Sequence, residues 1–394
     1  MDAQEQTRRS LVLVCKREFE DELREEIILR TGRENLPIEK TGGGLLIVEG
    51  LIPEQARVEP RPPTENASDG GRRSTAAVTF DDGGTALVPT SVLLNRPLIF
   101  ERQRIENAML IPTASLKQMA REILRHWLRP IITSNAAWTC HAFATEVPEA
   151  ESLSARARNL ERVLLDFVRE RYRLVFRRYL PPDELEVGAD AHVLNLCLTA
   201  EGIWGSVMPR DRLSDARPGG LHRMAWDSHA PARSYLKLEE AFDAMGEKPQ
   251  RGQTVIDLGA SPGGWSYACL KRGCRVTAVD NGAIKIRQPE RYGGTFLHLK
   301  ENGVTFEPEQ DRVPVDWLVS DMLIVAGTNI GMLRKWFANR WMRRFVVNLK
   351  IPQIHAYPVL VPVEEFLSSV PGIRYHLRQL YHDRREVTLF GWLL

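Results

Sequence analysis

Residues 255–265 read VIDLGASPGGW, an apolar β run that breaks into a glycine-rich turn and leads into a helix. Gly259, Ser261, Gly263 and Gly264 therefore stand directly after a strand and at the start of a helix. There, glycine lets a ligand approach backbone amides. The next strand closes on Asp280, 21 residues beyond Gly259, a distance that suits a carboxylate holding a ribose diol. Pro262 removes an amide donor from the middle of the loop, which disfavours the pyrophosphate of a dinucleotide. The G-x-S-P-G-G form suits S-adenosylmethionine, whose methionine end asks for contacts to an ammonium and a carboxylate. Asp257 and the loop amides are candidates for these.

Outward from this loop, strand and helix signals alternate: RVTAV (275–279), TFLHL (295–299), DWLVS (316–320), a helix over 329–339, RFVVNL (344–349), a helix near 363–369 and a last strand EVTLFGWLL. Nearly continuous apolar strands between helices predict a mostly parallel sheet covered on both faces. Charged residues stand where the strands end: Asp321 after DWLVS, Lys350 after FVVNL, and Glu386 leading into VTLF. Helix SYLKLEEAFDAM buries Tyr235, Leu238, Phe242 and Met245 and sets Lys237 beside that face. Each charge alone reads as a surface ion pair. Together, two lysines and two carboxylates form a constellation for activating a weakly acidic hydroxyl, because a lysine beside another cation can accept a proton.

Upstream, LVLVC (11–15) and GLLIVEG (44–50) read as strands flanking a helix over 17–31. Between 51 and 90, proline and glycine punctuate a polar stretch that reads as a long loop. The spacing then predicts a helix over 114–129, a strand over 139–144, an arginine-rich helix over 153–171 and strands over 173–178, 191–198 and 203–208. The arginines of 153–171 lie off its apolar face, either as a solvated surface or as phosphate contacts.

The chain of 394 residues carries 53 Lys+Arg against 51 Asp+Glu, so any basic surface must be local. Residues 215–394 hold 24 Lys+Arg and 19 Asp+Glu, a mild excess. Five cysteines (Cys15, Cys140, Cys197, Cys269, Cys274) form no CxxC pairs and read as reduced, buried thiols. The start MDAQEQTRR has no apolar core and no run of ~18 apolar residues occurs, which points to the cytoplasm and away from a membrane.

The segments ARSYLKLEEAF, DLGASPGGW, AVDNG, SDM, VVNLK and QLYHDRREVT resemble the FtsJ-like ribose 2'-O-methyltransferases and, among them, the large-subunit ribosomal RNA methyltransferase M family. The resemblance is strong over 215–394 and weaker over 1–50 and 98–214. It implies an α/β, Rossmann-like S-adenosylmethionine methyltransferase domain at 215–394. Two α+β domains are implied before it: ferredoxin-like at 1–112, with the long loop 51–90, and THUMP-like and RNA-binding at 113–214. It also implies Lys350 as proton acceptor, with Lys237, Asp321 and Glu386 placing and polarising the ribose hydroxyl. The implied cofactor contacts are Ser234, Asp257, Gly259, Ser261, Pro262, Gly263, Gly264, Trp265, Asp280, Asn302 and Asp321. Asn302 stands where the family commonly has Asp near the adenine, and 51–90 is longer than the family's connection.

The expected activity is 2'-O-methylation of a ribose, that of a cytidine, in large-subunit ribosomal RNA by a monomer that uses no metal. Two rivals compete with it. An RNA-binding scaffold that kept only the cofactor loop is disfavoured because all four charged positions are present. A base methyltransferase is disfavoured because SDML stands where exocyclic-amine enzymes carry [DN]-P-P-[FYW].

Overall fold

A computed structural model describes residues 10–49, 51–52, 79–80, 86–89, 98–147, 150–185, 190–322 and 326–394. The chain forms two compact units, one of residues 1–98 and 103–219, the other of residues 99–102 and 220–394.

In the first unit, β1 (Ser10–Val14), β2 (Ile38–Lys40), β3 (Leu45–Val48), β7 (Gln103–Pro112), β8 (Ala137–Ala144), β9 (Ala191–Leu198) and β10 (Gly202–Pro209) make one seven-stranded sheet of order β2-β3-β1-β7-β10-β9-β8. Only β8 and β9 run parallel within it. The sheet passes through residue 112, because β7 pairs with β1 on one side and with β10 on the other. Helix α1 (Glu20–Thr31) follows β1. Helices α2 (Leu116–Ser134) and α3 (Ala150–Arg171) pack Met119, Ile123, Trp127, Leu160 and Leu164 against Cys140, Leu194 and Leu196. The Ser115 hydroxyl caps α2 by accepting from the Gln118 amide at 3.3 Å.

RLVFRR, expected as a strand over 173–178, instead begins with the short helix α4 (Arg173–Phe176). The chain leaves α3 at Tyr172, and the amides of Val175 and Phe176 return to the Tyr172 carbonyl at 2.9 and 3.0 Å. So short an apolar run has no periodicity that separates the two states. Most of the expected 51–90 loop lies outside the described residues. Within it, β4 (Leu51–Ile52), β5 (Thr79–Phe80) and β6 (Ala86–Pro89) form a small sheet of order β4-β6-β5.

The second unit is a seven-stranded sheet of order β13-β12-β11-β14-β15-β17-β16. Its strands are β11 (Thr254–Leu258), β12 (Arg275–Val279), β13 (Thr295–Leu299), β14 (Val315–Ser320), β15 (Met342–Lys350), β16 (Ile373–Arg378) and β17 (Glu386–Leu393). The five from β11 to β15 run parallel, and β17 turns back antiparallel between β15 and β16. Helices α5 (Tyr235–Met245) and α6 (Gly264–Leu270) cover one face, where Leu238, Phe242 and Ala268 meet Val255, Trp317 and Val346. Phe242 meets Trp317 edge to face at 5.2 Å. α7 (Ala326–Ala338) and α8 (Ala356–Ser369) follow, with Phe337 packed edge to face on Phe345 of β15 at 5.1 Å. The order reverses at β11, which has β12 on one side and β14 on the other, so a crevice opens beyond the carboxyl ends of these strands. β16, not foreseen in IRYHLR, is the edge strand that β17 needs as a neighbour.

Candidate active site

Three strand ends and one helix converge on the crevice. β14 ends at Ser320, so Asp321 is the first residue beyond the sheet. Lys350 is the last residue of β15 and Glu386 the first of β17, and antiparallel register sets them directly opposite one another. Lys237 reaches the same place from the first turn of α5. The Glu386 carboxylate, whose side chain is only 3% exposed, takes Lys237 on Oε1 and Lys350 on Oε2. Both lysines also stand 3.5 Å from Asp321 Oδ1. All four charged residues singled out in the sequence thus form one cluster of two cations and two anions. Burial alone would lower the proton affinity of Lys237, but Asp321 and Glu386 outweigh it and the net shift is upward. Glu386 is pushed up by burial and down further by the two lysines, so its carboxyl ends below its ordinary value.

The glycine loop lies alongside. Gly259 has φ 76°, and a side chain there would stand 2.3 Å from Met322 Cγ, so only glycine fits. At Gly264, a Cβ would fall 2.7 Å from Ser234 Oγ. The Asp280 carboxylate pins the loop by accepting from the Ser261 amide at 2.9 Å and the Gly282 amide at 2.6 Å. The Ser261 hydroxyl donates to the Ala283 carbonyl at 3.1 Å and the Lys285 amide to the Pro262 carbonyl at 2.8 Å. Asn302 Oδ1 accepts from the Val304 amide at 2.9 Å. It thereby shapes a turn whose Gly303 lies against Gly259 and Met322.

Two expected contacts sit deeper than the loop. Asp257 is buried; its Oδ2 accepts from the Ser266 hydroxyl at 2.6 Å, and its Oδ1 has no hydrogen-bond partner among the described residues. Burial pushes this carboxyl up to about 7, aided by the charges of Asp321 and Asp280 and opposed by Ser266. Trp265 is buried in the core and donates from Nε1 to the Ser234 carbonyl at 2.9 Å, which ties α6 to the start of α5.

Sequence reasoning missed Asn348, whose Nδ2 donates to Asp321 Oδ1 at 2.9 Å. The signal was present: Asn348 is the one amide in the apolar run FVVNLK, and it stands two residues before Lys350, hence on the same face of the strand. All five cysteines are buried and unbridged. Among the described residues, no group of His, Cys, Asp or Glu is arranged to hold a metal ion, and no helix is long and apolar enough to cross a membrane.

Residues 230–352 match the family described as FtsJ-like methyltransferase. A ribosomal RNA large subunit methyltransferase M of Shewanella frigidimarina is 30% identical over 330 residues, which cover 80% of this chain and 85% of that protein. One from Pseudomonas syringae pv. syringae is 39% identical over 183 residues. These cover 43% of this chain and 50% of the relative, so that match spans about half the relative's length. A Methanococcus jannaschii fibrillarin pre-rRNA processing protein superposes with a TM-score of 0.31 at 12% identity, covering 51% of this chain and 83% of that one.

Proposed function

We propose that this chain, which belongs to the ribosomal RNA large subunit methyltransferase M family, transfers a methyl group from S-adenosylmethionine to a ribose 2'-oxygen of large-subunit ribosomal RNA. We assign that ribose to a cytidine. The observation that carries the reading is the convergence of Lys237, Asp321, Lys350 and Glu386 beside the glycine loop. The residues present fit the cofactor. The orphaned, buried Asp257 Oδ1 is an acceptor that an ammonium group would satisfy. Ser234, Gly259, Ser261, Pro262, Gly263, Gly264, Trp265, Asp280, Asn302 and Asp321 complete the set that would hold it. When bound, it would supply an electrophilic sulfonium methyl, and the neutral thioether it leaves behind would need no protonation.

What remains for the protein is to orient the ribose hydroxyl and take its proton. Lys237, its proton held firmly by two carboxylates, serves as the cation of the cluster. Lys350 is the more exposed of the two lysines, at 23% against 11%, so in our assignment it first gives up a proton to solvent and then, as the amine, takes the proton of the ribose hydroxyl. Asp321 and Glu386 hold both lysines at fixed positions, and the cluster returns to neutral when Lys350 takes up the hydroxyl proton.

The first unit is the RNA-binding part in this reading, with a ferredoxin-like half at 1–112 and a THUMP-like half at 113–214. Arg121, Arg125 and Arg129 of α2 and Arg158, Arg162 and Arg169 of α3 are all exposed; Arg125 pairs with Glu122 and Arg169 with Asp166, which leaves a local excess of positive charge on a nearly neutral chain. The protein is taken to act in the cytoplasm as a monomer without a metal.

The test is methyl transfer from labelled S-adenosylmethionine to unmodified large-subunit ribosomal RNA, followed by digestion to nucleosides. Label in 2'-O-methylcytidine is expected; label on a base would overturn the reading.

A further inference from the structure

Behind the cluster of four charges lies a chain of buried polar side chains. Asn348 stands opposite Thr388 in the β15–β17 register, one step deeper along the same face than Lys350 opposite Glu386. Asn348 and Thr388 are completely buried and Asp383 nearly so. At one end, Asn348 Nδ2 donates to Asp321 Oδ1 at 2.9 Å, a shorter contact than the 3.5 Å from either lysine. At the other, the Thr388 hydroxyl lies 2.7 Å from Asn348 Oδ1 and 2.8 Å from Asp383 Oδ2.

We propose that Asn348 is a positioning residue for the reaction: its side-chain amide holds Asp321, and Thr388 together with Asp383 fixes which way that amide points. The proposal rests on the methyl-transfer reading of the site. An amide can present either its oxygen or its nitrogen to a neighbour, and Asn348 presents nitrogen to Asp321 only while its oxygen has a donor on the far side. That donor is the Thr388 hydroxyl. The hydroxyl has one proton for two acceptors, and a proton on Asp383 completes the chain in one direction, from Asp383 through Thr388 and Asn348 to Asp321.

Burial favours this order, and the backbone fixes where Asp383 lies. Burial, with the nearby charge of Glu386, raises the Asp383 carboxyl well above its ordinary range. The turn that carries Asp383 is itself held: the Leu380 amide donates to Asp383 Oδ2 at 2.9 Å. The amides of Tyr381 and His382 donate to the buried Glu240 carboxylate at 2.7 and 3.0 Å. The position of Asp383 beside Thr388 is therefore set by backbone geometry, away from solvent.

The experiment compares Thr388→Val, which keeps the shape and removes the hydroxyl, with Thr388→Ser, which restores it, in the full-length protein. At saturating cofactor, Thr388→Val is expected to lower kcat about tenfold, the worth of one hydrogen bond, with KM for RNA within twofold; Thr388→Ser recovers most of the loss. In protein labelled at asparagine, exchange of the Asn348 side-chain amide protons should speed up about tenfold in Thr388→Val only. Should Thr388→Val fold poorly, Asn348→Ala gives a second route. It should lower kcat by at least the same factor, and wild-type kcat in Asn348→Ala overturns the proposal; where Thr388→Val folds, adding it should lower kcat no further. Wild-type kcat and exchange in Thr388→Val overturn the proposal. So do equal losses in the valine and serine variants, or additive losses in the double variant. A wild-type protein that fails to methylate ribose refutes the proposed function instead. The exchange comparison then still decides the network, since unchanged exchange in Thr388→Val overturns it.

Discussion

Glu386→Gln replaces one buried carboxylate by an amide of the same shape and leaves two lysines facing Asp321 alone, so the cluster moves from neutral to a single positive charge. Removing one partner of a fully buried ion pair costs about 3–5 kcal/mol. Lys237 and Lys350 retain side-chain exposures of 11% and 23%, and glutamine still offers one acceptor, which brings the expected cost to about 2–3 kcal/mol. For a unit of this size, each kcal/mol moves the midpoint by about 2–4 °C, so the melting transition of the C-terminal unit should fall by about 5–10 °C. Calorimetry at a series of pH values tests the cause as well as the size. The folded-state carboxyl of Glu386 lies below its ordinary value, so its stabilisation is complete above the unfolded value of about 4.3 and is lost as pH falls through the lower, folded one. The gap between wild type and variant should stay constant from pH 8 to about 5 and narrow below about 4. An unchanged midpoint at pH 7.5, or a gap that does not narrow in acid, would refute the electrostatic account of the cluster.

Other predictions concern catalysis and the cofactor. Lys350→Arg keeps the charge but is effectively never deprotonated, so methyl transfer should fall by at least ~100-fold with cofactor binding intact. Near-normal turnover would leave Lys350 an electrostatic role only. Asp280→Ala removes the carboxylate that pins Ser261 and Gly282 and should weaken S-adenosylmethionine binding by ~1.5–3 kcal/mol in titration calorimetry; parental affinity would show that this strand end does not meet the cofactor. Because the Asp257 carboxyl is pushed up to about 7 and a cationic ligand favours its ionised form, affinity should drop by up to ~tenfold per unit as pH falls below 7. Asp257→Asn should flatten that dependence, and an equally steep profile in the variant would assign it to another group.

The sequence was most informative where a single residue type was required. Gly259 could be read because a turn at positive φ beside a neighbouring backbone admits only glycine, and Asp321, Lys350 and Glu386 because charged residues ending apolar strands have few structural reasons to be there. Their meeting depended on something periodicity does not state: β17 runs antiparallel beside β15, in the register that sets Glu386 against Lys350. Thr388 was illegible for the opposite reason. A threonine in a strand is ordinary, and nothing local reveals that its hydroxyl lies between an amide and a buried carboxyl. In the first unit, β7 and β10 join strands from either side of residue 112 into one sheet, a pairing across about ninety residues that no local pattern encodes. Asp257 was visible as a charge at a strand end, but its depth was not: the bond from Ser266 comes from the helix beyond the loop.

The most direct measurement is a nucleotide-resolution map of 2'-O-methylation in large-subunit ribosomal RNA from cells lacking this chain, complemented with the wild-type protein or with Lys350→Ala. One ribose methyl, on a cytidine, should be absent without the chain, return with the wild-type protein and stay absent with Lys350→Ala. Ribose methylation that is identical in all three samples would contradict the assignment of this site to 2'-O-methyl transfer.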